Sequence, residues 1–182
     1  VAVAVINAGG FAVLGEALHS PDHIAADIKW IRDRIGGKPF GIDLVLPASV
    51  PEERTVEQLI AEIPQTHRDF EQKIKRKYNV PDPKQAPDLH IWGGLDQKRA
   101  LAQVEVVFDE RVPVFASGLG SPAFLLKRAH QLGMQVWGLV GKPKQAKKQI
   151  AAGTDVIIAQ GFDAAGHTGN IGTFSIVPQI AD

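Results

Sequence analysis

The sequence contains no cysteine. That excludes a disulfide framework, a thiolate nucleophile and any cysteine-ligated metal, and it fits a reducing, cytoplasmic location. Neither sign of charge is in surplus: 20 Lys and Arg balance 20 Asp and Glu. Without a basic excess nothing draws the chain to nucleic acid through counterion release. No run approaches the roughly 18 unbroken apolar residues of a membrane span, so no membrane partner is expected. The first residue is Val1 rather than methionine, from which we expect a missing start and no judgement on a leader segment. What is present is a chain of 182 residues, 45% apolar, with 18 Gly and 12 Pro. That is long enough to bury a core as one soluble domain.

Punctuation by Gly and Pro divides the chain. Val1–Ile6 is apolar and ends at Asn7-Ala8-Gly9-Gly10, which reads as the tail of a buried helix with a glycine stop. Phe11–Gly15 reads as a short buried strand. Ser20-Pro21 is a helix start, and Ile24, Ile28, Ile31 and Ile35 follow at helical spacing until Gly36-Gly37. Pro39–Pro47 carries the near-continuous apolar run of a strand covered on both faces. Residues 48–100 are polar and Pro-punctuated. They form an excursion between two strands, with helices expected over Thr55–Ile63, Thr66–Tyr78 and Asp96–Phe108. Beyond it strands and helices alternate: strands at Val112–Ala116, Met134–Leu139 and Thr154–Ala159, helices over 121–132, 143–152 and 174–181. This βαβαβα rhythm specifies a parallel sheet.

Two parallel architectures fit, an open doubly wound sheet and a (β/α)8 barrel. The dinucleotide fingerprint is not met, because Ser117-Gly118-Leu119-Gly120-Ser121-Pro122 holds only the first two glycines. The repetitive short loops favour the barrel. A complete barrel takes roughly 250 residues, so five strands make only part of one.

The densest chemical signal is Ala159-Gln160-Gly161-Phe162-Asp163-Ala164-Ala165-Gly166-His167-Thr168-Gly169. It leaves a strand directly and therefore lies on the carboxyl face, where such folds keep their active sites. Small residues let backbone approach a flat ligand. Gln160 offers an amide to a heteroaromatic edge, and a histidine such as His167 is the residue type that exchanges protons near neutral pH. A plain Gly-rich loop with an exposed histidine accounts for the same residues.

This segment resembles the A-Q-G-x-E-A-G-G-H-x-G segment of nitronate monooxygenases, formerly called 2-nitropropane dioxygenases. Asn7–Gly15 resembles their S-N-A-G-G-L-G-x-L-G segment, Gly41-Ile42-Asp43-Leu44 their G-x-N-L strand end, and Val112-Pro113-Val114 their fourth strand. The resemblance implies an FMN-dependent TIM barrel, here running from the first helix to the start of the sixth, with residues 1–182 as one partial domain. It implies His167 as the base that removes the α-proton of a nitroalkane or steers the nitronate. It implies FMN contacts from Gln160, Gly161, Ala165, Gly166 and Asp43. Ala165 replaces the first glycine of the family's G-G-H, and Asp43 replaces an FMN-binding Asn, exchanging an amide donor for a charge. Asp163 replaces a Glu conservatively.

The implied partners are a nitronate or nitroalkane and O2, giving a carbonyl compound and nitrite. FMN-dependent enoyl-acyl-carrier-protein reductases share the G-G-H loop and are the alternative, together with a non-catalytic barrel fragment. The family's A-P-M strand and phosphate-clamping strands seven and eight are expected outside this sequence, so we expect FMN to bind this chain weakly or not at all. Open sheet edges would invite self-association, and a homo-oligomer is compatible with them.

Other residues carry plainer readings. Asn7 is read as a helix end, Ser117 as a strand-end hydroxyl and His19 as a surface-loop residue. His23, His67, His90 and His130 show no pairing that suggests a metal, and none is expected. Trp30, Trp92 and Trp137 are read as packing residues. Lys142, Lys144, Lys147 and Lys148 are read as a solvated face.

Overall fold

A computed structural model describes residues 1–46, 56–82 and 97–181. Five parallel strands form one sheet: β1 Val13–Gly15, β2 Gly41–Val45, β3 Val114–Gly118, β4 Gln135–Val140 and β5 Val156–Ala159. They lie in sequence order, each paired with the next. That order decides the architecture. A doubly wound sheet reverses direction at a switch point, whereas strands added one after another are the way a (β/α)8 barrel is built. The chain forms part of such a barrel. Phe11, just before β1, and Trp137, in β4, bring their ring centroids to 5.1 Å. β1 and β4 are three strand spacings apart, about 14 Å in a flat sheet, so the contact reflects a sheet curled toward closure.

The core lies between the convex face and the helices. Helix α1 spans Ala2–Asn7 and α2 spans Pro21–Ile35. Ser20 caps α2 by accepting from the His23 amide at 3.2 Å. Its four isoleucines are all buried against Ile42, Leu44, Phe115 and Val136 of the strands. Among the described residues, three helices separate β2 from β3: α3 Val56–Glu62, α4 Gln65–Tyr78 and α5 Gln97–Asp109. Helix α4 buries no residue, as its polar composition dictates. Helix α5 buries Val104, Val107 and Phe108 in the core and serves as the crossover of the β2–β3 unit. Helices α6 Leu126–Gln131, α7 Pro143–Ala152 and α8 Thr173–Ala181 complete the alternation.

Four local expectations change. The first strand is not buried: β1 is only three residues long, and Val13 is 37% exposed because it is an edge strand. Helix α1 buries only Ile6, with Val1 and Val5 on its open side. The helix expected over 121–132 divides into a 3-10 turn, Pro122–Phe124, and α6. Trp30 is half exposed, with the Arg34 guanidinium 4.3 Å from its ring centroid. Trp92, His90, Thr55, Asp96 and the Pro47 end of the second strand lie outside the described residues.

Candidate active site

Register fixes the floor of the site. Gly15, Asp43, Ala116, Trp137 and Val156 are successive Cα partners across the sheet, so their side chains share the concave face. Gly15 and Ala116, on either side of Asp43, carry no polar side chain. Asp43 Oδ1 is buried and has no hydrogen-bond partner. Burial pushes the carboxyl up to about 6, because a charge there loses water and gains nothing in exchange.

Above this floor a cavity of about 740 Å³ opens at the carboxyl ends of β2 to β5. Asp43, Gln160 and His167 all line it, brought from β2, the end of β5 and the following loop. Gly118 forms part of the wall. A Cβ there would meet nothing closer than Leu139 at 3.8 Å, so the glycine leaves ligand space open. Gly161, Ala165 and Gly166 are not among the lining residues.

Those three residues shape the loop that carries His167. A Cβ on Gly161 would stand 2.2 Å from the Thr173 nitrogen, so only glycine lets the loop approach the start of α8. Asp163 Oδ1 accepts from that Thr173 amide at 2.7 Å. This hydrogen bond, with one from the Thr173 side chain, holds the Asp163 carboxyl below its ordinary value. Gln160 Nε2 donates to the Ala165 carbonyl at 3.1 Å, closing the loop on itself. Gly166 has φ +79° with open space around its Cα. Ala165 is not among the residues of positive φ, so its methyl replaces the family's glycine without backbone strain. Gly166→Ala should therefore cost about 1 kcal/mol, purely from its left-handed backbone. Ala165→Gly should cost only the few tenths expected of added chain entropy. Chemical denaturation of the two variants checks the asymmetry.

The loop is docked at its far end too. A Cβ on Gly169 would stand 2.3 Å from the Gly141 carbonyl oxygen, so the β4–α7 and β5–α8 connections meet backbone to backbone. His167 is exposed at the cavity between these two anchors.

Helix α7 and its start bring Lys142, Gln145, Lys148 and Gln149 to the lining. Lys142 and Lys148, read from sequence as solvated, are exposed but stand on the cavity. Gln149 is 5% exposed, and its Oε1 has no partner. No local signal marks these residues, since only the packing of α7 on β4 brings them to the cavity. Ser117 is wholly buried and does not line it. Asn7 lies at the opposite end of the sheet, donating from Nδ2 to the Arg34 carbonyl at 3.0 Å near the end of α2.

A curled parallel sheet with a cavity at its carboxyl face defines part of a (β/α)8-barrel protein with its site at the end such proteins use. The chain belongs to the nitronate monooxygenase family, whose sequence model matches residues 1–182. A Mycobacterium tuberculosis protein named provisionally as a monooxygenase is 36% identical over 189 residues, covering 100% of this chain and 50% of that protein. A Staphylococcus saprophyticus protein named provisionally as a nitronate monooxygenase is 24% identical, covering 98% and 49%. Among solved structures, nitroalkane oxidase from Streptomyces ansochromogenes superposes with TM-score 0.75 at 27% identity, covering 99% and 50%. FabK from Thermotoga maritima gives TM-score 0.67 at 24% identity, covering 99% and 42%, a likeness of fold. The chain spans about half the length of the curated relatives it matches.

Proposed function

We propose that this chain carries the flavin-ring side of a nitronate monooxygenase site, oxidising nitronates or nitroalkanes with O2 to a carbonyl compound and nitrite. The observation that carries the reading is the convergence of Asp43, Gln160 and His167 on one cavity at the carboxyl face. The residues fit a flat, hydrogen-bonding heterocycle. Two side-chain oxygens, Asp43 Oδ1 and Gln149 Oε1, lack partners, and the Gly118 wall leaves room beside them. FMN is the flavin we assign, and when bound it would supply electron transfer between nitronate and O2.

The chain's own residues position and move protons. Asp43, held neutral below about pH 6, offers an O–H in place of the amide donor of an Asn. Gln160 fixes the loop through the Ala165 carbonyl and sets where His167 stands. An imidazole nitrogen of His167 accepts the α-proton of a nitroalkane. Lys142 and Lys148, on the cavity, attract the negative charge of a nitronate.

The test is steady-state turnover with FMN supplied. O2 uptake with nitrite release from propyl nitronate is expected. NAD(P)H oxidation driven by an enoyl thioester, with no nitronate turnover, would overturn the assignment.

A further inference from the structure

Away from the cavity's chemistry, the β1–α2 corner gathers a second set of polar side chains. His19 and His23 stack with ring centroids 4.3 Å apart. One ligand atom from each of His19, His23 and Asp27 lies within 4.8 Å of the other two. Among the described residues this is the one group of three or more histidines and carboxylates so arranged. His19 and His23 stand at H-x-x-x-H spacing, which corrects the reading of His23 as unpaired and of His19 as no more than a surface-loop residue. The structure adds what sequence cannot, that a loop residue stands directly over the first turn of α2.

The corner is fixed from behind. Glu16 is 3% exposed and takes His19 Nδ1 at 2.5 Å, which leaves Nε2 as the ring's outward nitrogen. A buried carboxylate on one ring nitrogen is the arrangement that orients metal-ligating histidines and raises their basicity. Gln103, 1% exposed, donates from Nε2 to the carbonyls of both Ala17 and His19. Arg99 Nη2 donates to the Leu18 carbonyl at 2.8 Å. Three consecutive backbone carbonyls are thus held by α5, and the loop cannot swing His19 away from α2. On the front side the ligands are free to adjust: His19 is 45% exposed, His23 55% and Asp27 37%.

We propose that His19, His23 and Asp27 form a binding site for a divalent first-row metal ion of the zinc type, with Glu16 as the positioning residue behind His19. Ligand atoms about 2.0–2.2 Å from a tetrahedral zinc ion stand about 3.3–3.6 Å apart. The three atoms, within 4.8 Å of one another, close that gap of at most about 1.5 Å by side-chain rotation alone, which their exposure allows. Two nitrogens and one carboxylate leave a fourth position for water, a coordination zinc accepts. Electrostatics weighs both ways. The start of α2 disfavours a cation by about 0.3–1 kcal/mol, and the Arg99 guanidinium adds to that. The carboxylates of Glu16 and Asp27, with Asp22 in the first turn, offset both. Bound metal would fasten the end of β1 to α2. Glu16, whose amide donates to the Asp43 carbonyl at 3.0 Å, ties that corner to the cavity floor.

The experiment is titration of the full chain with Zn²⁺ by calorimetry and with Co²⁺ by visible absorption. We expect one saturable equivalent and a rise in melting temperature with Zn²⁺. His23→Ala and Asp27→Asn should each abolish saturation, while His67→Ala, on exposed α4, should leave it intact. Glu16→Gln should keep the shape of the cobalt band and lower affinity by about 10- to 100-fold. Should His23→Ala fail to fold by circular dichroism, Asp27→Asn decides alone. No saturable binding, or binding untouched by Asp27→Asn, overturns the site.

Discussion

His167→Ala is expected to lower kcat/KM for a neutral nitroalkane by about 10²- to 10⁴-fold, the range a positioned general base contributes. The same substitution should lower turnover of the preformed nitronate far less. A nitronate has already lost its α-proton, so it has no proton for the imidazole to take. The contrast separates a base from a residue that merely shapes the loop. His167 sits between two anchors, the Gln160–Ala165 hydrogen bond and the Gly141–Gly169 backbone contact. Its removal therefore leaves the loop's geometry standing. Equal losses on the two substrates, measured by O2 uptake, would remove the proton-transfer role and leave only a positioning one.

Asp43→Asn is expected to stabilise the protein at pH 8 and leave it unchanged near pH 4. The carboxyl is raised from its ordinary 3.8 to about 6 by burial. Below 3.8 it is neutral folded and unfolded, and burial costs no charge. Between 3.8 and about 6 the unfolded chain releases a proton that the folded chain keeps. Stability therefore falls across that window and stays lower above it. The full shift corresponds to about 3 kcal/mol, and solvent reaching this half-buried side chain reduces the expected penalty to about 2 kcal/mol. For a chain of this length that is roughly 4–8 °C in Tm. Asn, the residue the family resemblance places here, carries no charge at any pH. Thermal melts of both proteins at pH 4 and pH 8 check the sign. A difference of equal size at the two pH values would contradict the burial explanation.

Much of this was legible in the sequence because it is local. The isoleucine stripe of α2 and its Ser20-Pro21 start specify the helix and its buried face. The Gly-rich run after β5 marks the loop with His167. What was not legible depends on tertiary placement. Val13 and Phe11 are apolar enough for a core strand, yet β1 is an edge strand, so they remain partly exposed. Lys142, Lys148 and Gln149 read as an ordinary helix surface until α7 packs beside β4. His19 and His23 straddle a helix start, where spacing alone does not say whether the loop residue folds back over the turn. Gln103, more than eighty residues away in sequence, makes it do so.

The central claim is that a flavin ring occupies the cavity walled by Gly118. The direct measurement is an FMN absorbance titration of the wild-type chain beside Gly118→Leu, whose side chain would fill that wall, with circular dichroism confirming the fold of both. The account predicts a weak but saturable change in the flavin spectrum for the wild type and its loss in Gly118→Leu. A flavin spectrum unchanged by the wild-type chain, or a change that Gly118→Leu leaves intact, would contradict it.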